Sequence, residues 1–214
     1  QELDAALVPS VAYFGGGFQF APGVSISSTT NVDSVLLFLN KDVSDIKTLG
    51  LDQSSLTSRA LVQILLKEKY GLHSLNTVNC QIKQNGPTEP VDAFLAIGDP
   101  AMELKKQFDH YLDLGLEWTS FTRLPFVYAL WLIPDHHQSF DEICALLLQS
   151  KQSGLDHMDQ VINQALMQHA SGKNVTADEL KHYLTQSINF DLTPNHLEGL
   201  NLFGELAKKY NLIP

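Results

Sequence analysis

Apolar residues form short continuous runs in the first part of the chain, and this pattern is typical of strands buried on both faces of a sheet. Such runs predict strands at 5–8, 32–40, 91–99 and 123–133, with a shorter strand at 48–52. The run at 32–40 has a continuous apolar centre with β-branched residues, and the run at 123–133 is long, apolar and aromatic. The sequence therefore predicts a sheet whose strands are separated by other elements.

Helical spacing of apolar residues appears between and after these strands. Leu61, Ile64 and Leu65 recur at helical spacing, and Gly71 follows where a helix would end. Pro100 predicts the first position of a second helix. From residue 138 onward only helices are predicted: one that stops at Gly154, one at about 156–172, one opened by a capping box at 176–179, and a last one at about 195–210. Alternating strands and helices followed by a helical tail predict an α/β protein with a largely parallel sheet.

Composition and charge narrow the possible partners. The chain has 214 residues, of which 44% are hydrophobic and 18% charged, as in ordinary globular proteins. With 14 Lys and Arg against 24 Asp and Glu, the net charge of -10 disfavours nucleic acid and anionic membranes as partners. The two cysteines, Cys80 and Cys144, have neither metal-like nor disulfide-framework spacing. We expect no metal, no membrane span and a cytoplasmic location.

A cluster of hydroxyls opens the first predicted helix. Ser54, Ser55, Thr57 and Ser58 occupy four of five positions, and Arg59 follows. The free N–H groups and the dipole of a first helical turn attract anions, and hydroxyls there can donate to a carboxylate. The alternative is that one hydroxyl caps the helix and the others face solvent. We favour a carboxylate site, because four hydroxyls exceed the need of a cap.

Two further polar clusters stand at the ends of predicted strands. Residues 25–31 carry five hydroxyls, including Ser27 and Ser28, just before a buried strand, although a plain Ser/Thr loop would explain them equally well. Gly98 and Asp99 close the strand at 91–99. Glycine would allow a ligand to approach the backbone, whereas a capping role is the better explanation of the Asp99 carboxylate.

Several motifs, in order, resemble the chorismate dehydratase family of menaquinone biosynthesis, which acts in the futalosine route. They are GVSISS and VDSVLLF, then DQSSLTSRAL, then DAFLAIGDPAM, then YLDLGLEWTSFTRLPFVYALW. The resemblance covers about residues 4–131, and a family-like helical tail follows. The most specific part holds Asp113 and Trp118 in DLGLEW, and Thr122 shortly before LPFVYALW.

The resemblance implies a two-lobed fold like that of type II periplasmic binding proteins. The second lobe would span 31–133, and the first would combine 1–30 with 134–214. The family also has an N-terminal section that contributes a strand, a helix and an Asn implicated in the chemistry, and we expect that section to be absent from this chain. An incomplete first lobe would expose a sheet edge, so we expect self-association and weak turnover.

The resemblance further implies that the substrate is chorismate, a small dianion, and that water is eliminated without any cofactor. No catalytic residue is assigned, because the family Asn lies in the section expected to be absent. The polar clusters and the family motifs together predict the following substrate-binding residues: Ser27, Ser28, Ser55, Thr57, Ser58, Gly98, Asp99, Asp113, Trp118 and Thr122.

Two departures from the family pattern, and two other functions, stay open. Leu56 stands where the family commonly has Arg, and Arg123 where it usually has Gly, which leaves substrate contacts in doubt. A binding protein that closes on a carboxylate without chemistry would share the fold. The related dihydroxynaphthoate synthase is another possibility, although the DLGLEW and LPFVYALW segments favour the dehydratase.

Overall fold

The structure is a computed structural model that describes residues 3–52, 55–169 and 175–213. The strands are β1 (Ala6–Pro9), β2 (Phe18–Ser28), β3 (Val35–Leu39), β4 (Thr48–Leu51), β5 (Asn76–Asn79), β6 (Ile82–Lys83), β7 (Gly86–Pro87), β8 (Ala93–Ile97), β9 (Tyr111–Asp113) and β10 (Phe126–Pro134). The helices are α1 (Leu56–Glu68), α2 (Gly98–Lys105), α3 (Leu114–Thr122), α4 (Phe140–Asp156), α5 (Met158–His169), α6 (Ala177–His182) and α7 (Pro194–Lys209). Short 3-10 turns occur at Ser10–Gly15 and Val43–Asp45, and a π-helical turn at Tyr183–Ser187 continues α6.

The strands form a five-stranded sheet, a three-stranded sheet and a small hairpin of β6 and β7. The predicted α/β class and the helical C-terminal part are confirmed, but the prediction of mostly parallel sheets is wrong. In the five-stranded sheet, ordered β5-β4-β8-β3-β9, β4 is parallel to β5 and β8, whereas β3 is antiparallel to β8 and β9. The three-stranded sheet, ordered β1-β10-β2, is wholly antiparallel. An apolar run reports burial and not strand direction, which explains the error.

The apolar run in β3 is explained by burial on both faces of the five-stranded sheet. Leu37 belongs to a large core beneath α1, α3 and α7, whereas Leu36 and Phe38 pack into a second core on the other face. The rings of Phe38 and Phe94 stack there with centroids 5.1 Å apart. Successive side chains of a strand point to opposite faces, so a strand covered on both sides must be apolar throughout.

Helix α1 agrees with its sequence pattern. Leu61 and Leu65 are buried in the large core, as their spacing predicts. Gly71 has φ 71°, and its N–H donates to the carbonyl of Lys67 at 3.2 Å. A left-handed residue just beyond a helix end favours glycine, so the predicted end of this helix is confirmed.

Other helix boundaries differ from those predicted. Helix α2 begins at Gly98, two residues before Pro100, so that Asp99 lies in its first turn and does not precede it. Helix α4 continues past Gly154 to Asp156, because an isolated glycine weakens a helix without having to end it. The capping box predicted at Thr176 and Glu179 is confirmed. None of the helices in the described ranges is both long and apolar enough to span a membrane.

Strand β2 was not predicted from the sequence. Residues 25–28, read as a polar cluster or loop, form its last part and pair with β10. Their hydroxyls are satisfied inside the protein, since that of Ser25 donates to the carbonyl of Asp191 at 2.6 Å and that of Ser27 to the carbonyl of Asn189 at 2.9 Å. Serine on a buried strand is compatible with folding when such acceptors are available.

Two connections join the sheets: residues 29–34 lead from β2 to β3, and α3 with residues 123–125 leads from β9 to β10. Strand β10 pairs with β1 and β2, so strand pairing favours an end of the second lobe before Phe126 and not after Ile133. The division of the chain into lobes at 31–133 stays a prediction.

Arg123 gives a testable explanation of one departure from the family pattern. It ends α3 with φ 66°, a conformation that favours glycine. Replacing Arg123 by Gly should therefore stabilise the protein by about 0.5–1 kcal/mol, because relief of the left-handed backbone exceeds the extra chain entropy of glycine. Urea unfolding would measure the change. Arg59→Gly, inside α1, is the matched control and should destabilise by about 1 kcal/mol; destabilisation by both variants would contradict the explanation.

Candidate functional site

The candidate site is the edge of the five-stranded sheet where β4, β8 and β9 end and β3 begins. These ends meet because β4 is parallel to β8, and β3 is antiparallel to both β8 and β9. Ligands of open α/β sheets bind outside the carboxyl ends of the strands. The edge brings together four residues predicted from three separate segments: Ser55, Gly98, Asp99 and Asp113.

At this edge Ser55 caps α1. Its Oγ accepts a hydrogen bond from the Ser58 N–H at 3.2 Å, and its hydroxyl donates to Ser58 Oγ at 3.0 Å. The Arg59 guanidinium donates to the carbonyl of Asp52 at 3.4 Å. Leu56, which stands at the family's Arg position, is 48% exposed. Capping is therefore one role of the hydroxyl cluster, and its binding of a carboxylate stays a prediction; Ser54 lies outside the described residues.

Thr57 is fully buried and joins α1 to the three-stranded sheet. Its Oγ1 accepts from the Val11 N–H at 3.1 Å and lies 3.4 Å from Ser10 Oγ. The Ser10 hydroxyl in turn donates to the carbonyl of Val127 on β10 at 2.7 Å. The sequence did not indicate this role, because Ser10 and Thr57 are 47 positions apart.

Replacing Thr57 by Val should destabilise the protein by about 1–3 kcal/mol, because the buried Val11 N–H would lose its acceptor. Chemical unfolding would measure the loss, and Thr57→Ser, which retains the hydroxyl, should recover most of the hydrogen-bond contribution. Unchanged stability together with weaker chorismate binding would instead assign the hydroxyl to the ligand.

Ser28 and Tyr128 form a buried hydroxyl pair where β2 gives way to the first connection. Their oxygens are 3.1 Å apart, and burial raises the pKa of Tyr128 far above its ordinary value, so the phenol stays protonated. A Cβ on Gly115 would lie 2.6 Å from the Thr30 carbonyl oxygen and 2.7 Å from Ser28 Oγ. The start of α3 therefore packs directly against the first connection.

Asp113 links the two connections through hydrogen bonds to its carboxylate. Its carboxylate caps α3 by accepting from the N–H groups of Gly115 and Leu116 at 3.0 and 3.1 Å. It also accepts from Val32 at 3.0 Å and from Asp33 at 2.7 Å, both on the first connection. Burial raises the pKa of Asp113, against the lowering effect of these backbone hydrogen bonds.

Trp118 and Thr122 lie within the second connection and pack against protein. Trp118 is fully buried, and its Nε1–H donates to the Pro125 carbonyl at 3.2 Å. The Thr122 hydroxyl donates to the Trp118 carbonyl at 2.9 Å and accepts from the Leu124 N–H at 3.1 Å. These contacts shape the turn from α3 into β10, and the predicted contacts of both residues with substrate stay predictions.

A cavity of about 620 Å³ opens beside this edge, between α2 and the α6 segment with its π-helical turn. Five carboxylates line it: Asp33, Asp99, Glu103, Asp178 and Glu179. Lys105 and Lys106 also line it. A second cavity of about 960 Å³, between the β6–β7 hairpin and α2, shares Asp99 and Glu103 with the first. Of the ten predicted binding residues, Asp99 is the one found on these walls.

The structure adds site residues that sequence reasoning missed. Asp33 Oδ1 accepts from Lys105 Nζ at 2.7 Å, and Asp33 Oδ2 accepts from the Ser187 hydroxyl at 2.5 Å. The hydroxyls of Ser34 and Tyr183 are 2.8 Å apart. Burial raises the pKa of Asp33. The hydrogen bonds from Lys105 and Ser187, together with the charge of Lys105, lower this pKa by more than burial raises it, so its net shift is downward. The polar start of VDSVLLF was a signal, but nothing in the sequence links it to residues 183 and 187.

The described ranges contain no group of three or more His, Cys, Asp or Glu side chains arranged to hold a metal ion. The charged groups at the edge are carboxylates, lysines and an arginine, set among hydroxyls and the N–H groups of helix starts. Such groups can bind and orient a polar ligand by hydrogen bonds and charge.

Comparison with known proteins identifies the family and the fold. A family model described as "Menaquinone biosynthesis" matches residues 1–209. The chain is similar to protein AF1704 from Archaeoglobus fulgidus, with TM-score 0.78 and 18% identity over 99% of this chain and 81% of that one. It is also similar to the periplasmic aliphatic sulphonate binding protein SsuA from Escherichia coli, with TM-score 0.65 and 15% identity over 99% of this chain and 72% of that one. A Candida albicans protein with the generic periplasmic binding protein fold matches with TM-score 0.58 and 13% identity over 99% of this chain and 78% of that one. These identities establish the fold alone, and the fold predicted from the resemblance is confirmed.

Proposed function

The chain belongs to the menaquinone biosynthesis family, and on this premise we propose that it is a chorismate dehydratase, which converts chorismate to 3-[(1-carboxyvinyl)oxy]benzoate and water. The observation that supports this reaction within the family is the segment 113–131, which resembles the dehydratase motif. That segment forms the end of β9, α3 and most of β10, and so contains the second connection between the sheets.

The proposed reaction is a redox-neutral elimination. A base removes the proton from the ring carbon that bears the enolpyruvyl ether, the electron pair becomes a ring double bond, and the neighbouring hydroxyl leaves as water after gaining a proton. Aromatisation drives the step. The carboxylate of the substrate's own side chain can serve as the base if the site enforces its position near that proton.

The protein's part in this chemistry is to hold a dianion, orient it and exclude water. The start of α1 offers a favourable dipole and the Ser58 hydroxyl as a donor for one carboxylate, and the Ser55 hydroxyl, which donates to Ser58 Oγ, orients that group. Asp113 and Trp118 act indirectly, by fixing the connections that border the site. The elimination consumes neither electrons nor a second substrate, so the proposal includes no cofactor.

We place the activity in the cytoplasm, where thiols stay reduced. Cys80 and Cys144 are free and buried, which is compatible with that compartment. The acidic chain, with a net charge of -10, makes a small molecule a better partner than nucleic acid or an anionic membrane.

Incubating the purified protein with chorismate and following aromatic product by ultraviolet absorbance and mass spectrometry tests the proposal. We expect a product lighter than chorismate by one water, formed faster than in a heat-denatured control. Calorimetric binding of chorismate without product would favour the non-catalytic carboxylate-binding protein. Formation of a dihydroxynaphthoate from the related synthase's substrate would favour that enzyme.

A further inference from the structure

We propose that the Asp33 side chain occupies a carboxylate subsite of the cavity at the sheet edge, and that a ligand carboxylate must displace it to bind. Asp33 is then an autoinhibitory residue, and Lys105 is the cation that it withholds from the ligand. The inference rests on the proposed function in one respect, namely that the ligand is an aromatic or cyclic dicarboxylate.

Donors from three separate elements converge on the Asp33 carboxylate. Lys105 on α2 lies 2.7 Å from Oδ1, while the Ser187 hydroxyl lies 2.5 Å and Asn31 Nδ2 2.7 Å from Oδ2. His182 Nε2 is 4.0 Å from Oδ2, and its attraction requires a protonated ring. One cation with several neutral donors is how proteins recognise a carboxylate of any origin. The constellation is therefore an anion site filled by a side chain of the protein itself.

This constellation is accessible from the cavity. The Asp33 and Lys105 side chains are 19% and 35% exposed, and both line the cavity of about 620 Å³. That volume is within the range of small-molecule sites. The Tyr183 ring and Met102 add apolar surface to the same wall, on which the ring of a ligand can pack.

The backbone of Asp33 is held in place while its side chain is not enclosed. Its φ of 62° is unusual for a residue with a side chain, and its N–H is fixed by the Asp113 carboxylate at 2.7 Å. Displacement by a ligand therefore requires rotation of the Asp33 side chain and no movement of β3.

Charge balance explains why displacement matters for an anionic ligand. The cavity wall has five carboxylates and two lysines. Lys106 interacts with Glu179 at 3.3 Å and with Glu103 at 3.8 Å, outside the Asp33 constellation. While Asp33 is bound to Lys105, the charge of that lysine is already neutralised and cannot attract a second carboxylate. Once Asp33 rotates away, Lys105 and the hydroxyls can take the ligand carboxylate.

The ordinary interpretation is that Asp33 and Lys105 form a structural ion pair. The two interpretations differ in the size of one effect. Loss of any carboxylate from the cavity wall favours an anionic ligand through charge alone. If the pair is structural, loss of the Asp33 charge raises the affinity no more than loss of another wall carboxylate does. If Asp33 competes with the ligand, loss of its charge raises the affinity several times more.

The test uses isophthalate, an aromatic dicarboxylate that cannot undergo the elimination, as the calorimetric probe for the full chain. We expect Asp33→Asn to bind it about fivefold more tightly than the original protein, and Lys105→Met to bind it about fivefold more weakly. The double variant should bind like Lys105→Met, because there is then no cation to release. Asn and Gly both tolerate a positive φ, so Asp33→Gly is a second variant that should fold and also bind more tightly.

Asp178→Asn is the matched control, because it removes the same charge from the wall of the same cavity and leaves the donors of Asp33 in place. We expect it to tighten isophthalate binding by less than about twofold. Unchanged or weaker binding by folded Asp33→Asn or Asp33→Gly, no detectable binding by either, or equal tightening by Asp178→Asn would each overturn the inference. A protein that shows the expected isophthalate pattern but leaves chorismate intact would refute the proposed reaction and retain this inference.

Discussion

Replacing Asp113 by Ala is expected to destabilise the protein by about 3–5 kcal/mol. The substitution leaves four backbone N–H groups without their acceptor: two at the start of α3, and those of Val32 and Asp33 on the other connection. The loss at Val32 is the most severe, because that residue is 1% exposed and water cannot readily replace the carboxylate. Burial of the carboxylate opposes its own ionisation, which places the expected loss below the sum of four charged hydrogen bonds.

Urea unfolding of Asp113→Ala and Asp113→Asn together would test this expectation. The asparagine Oδ1 can still accept from Val32, Gly115 and Leu116, whereas its amide N–H would oppose the Asp33 N–H. The Asn variant should therefore lose roughly half as much stability as the Ala variant. If the Asn variant retained stability and chorismate affinity but lost turnover, Asp113 would be a catalytic residue and not a structural link between the two connections.

The sequence predicted those elements whose burial fixes their composition. Strands β3 and β8 are enclosed on both faces, so their apolar runs were visible. Helix α1 has apolar residues at helical spacing and is followed by Gly71. Strand β2 was not visible, because its serines find acceptors in residues 189–191 of the C-terminal part. A buried polar strand depends on partners distant in sequence, which periodicity cannot report.

At the candidate site too, the sequence did not reveal partners that are distant along the chain. Asp99 was predicted at a strand end, Ser55 at the start of a helix and Asp113 from the family motif. The pairing of β4, β8, β3 and β9 brings all three to one edge. Asp33 was not predicted, because its contact with Ser187 spans 154 positions of the chain. A polar residue in the sequence indicates that a hydrogen-bond partner is needed. Whether that partner is the ligand, the solvent or another part of the protein depends on the fold.

The hydroxyls of the first turn of α1 illustrate this ambiguity. From the sequence, four hydroxyls exceeded the need of one cap. In the structure Ser55 is the cap, and Thr57 is committed to the Val11 N–H. An excess of hydroxyls in a first helical turn therefore does not by itself show how many of them contact a ligand. Binding of a carboxylate by Ser55 and Ser58 stays a prediction.

Helix α7 contacts the second connection so closely that one added methyl group should have a large effect. In Gly199→Ala, the new Cβ would lie 2.2 Å from the Pro125 carbonyl oxygen and 3.5 Å from Leu124 Cβ. The obstructing atom is backbone, so either α7 or the start of β10 must shift. We expect a loss of about 2–3 kcal/mol, typical of overpacking in a buried contact.

Gly154→Ala is the matched control for this substitution. Gly154 also lies within a helix, α4, but a Cβ there would meet nothing within 4 Å. Alanine favours helix over glycine, so this variant should gain about 0.5–1 kcal/mol of stability. The same chemical change is thus expected to have opposite signs at the two positions, and thermal or urea unfolding measures both. Stabilisation by Gly199→Ala would mean that α7 does not press on Pro125, and that the Pro125 carbonyl, which also accepts from Trp118, is free to move.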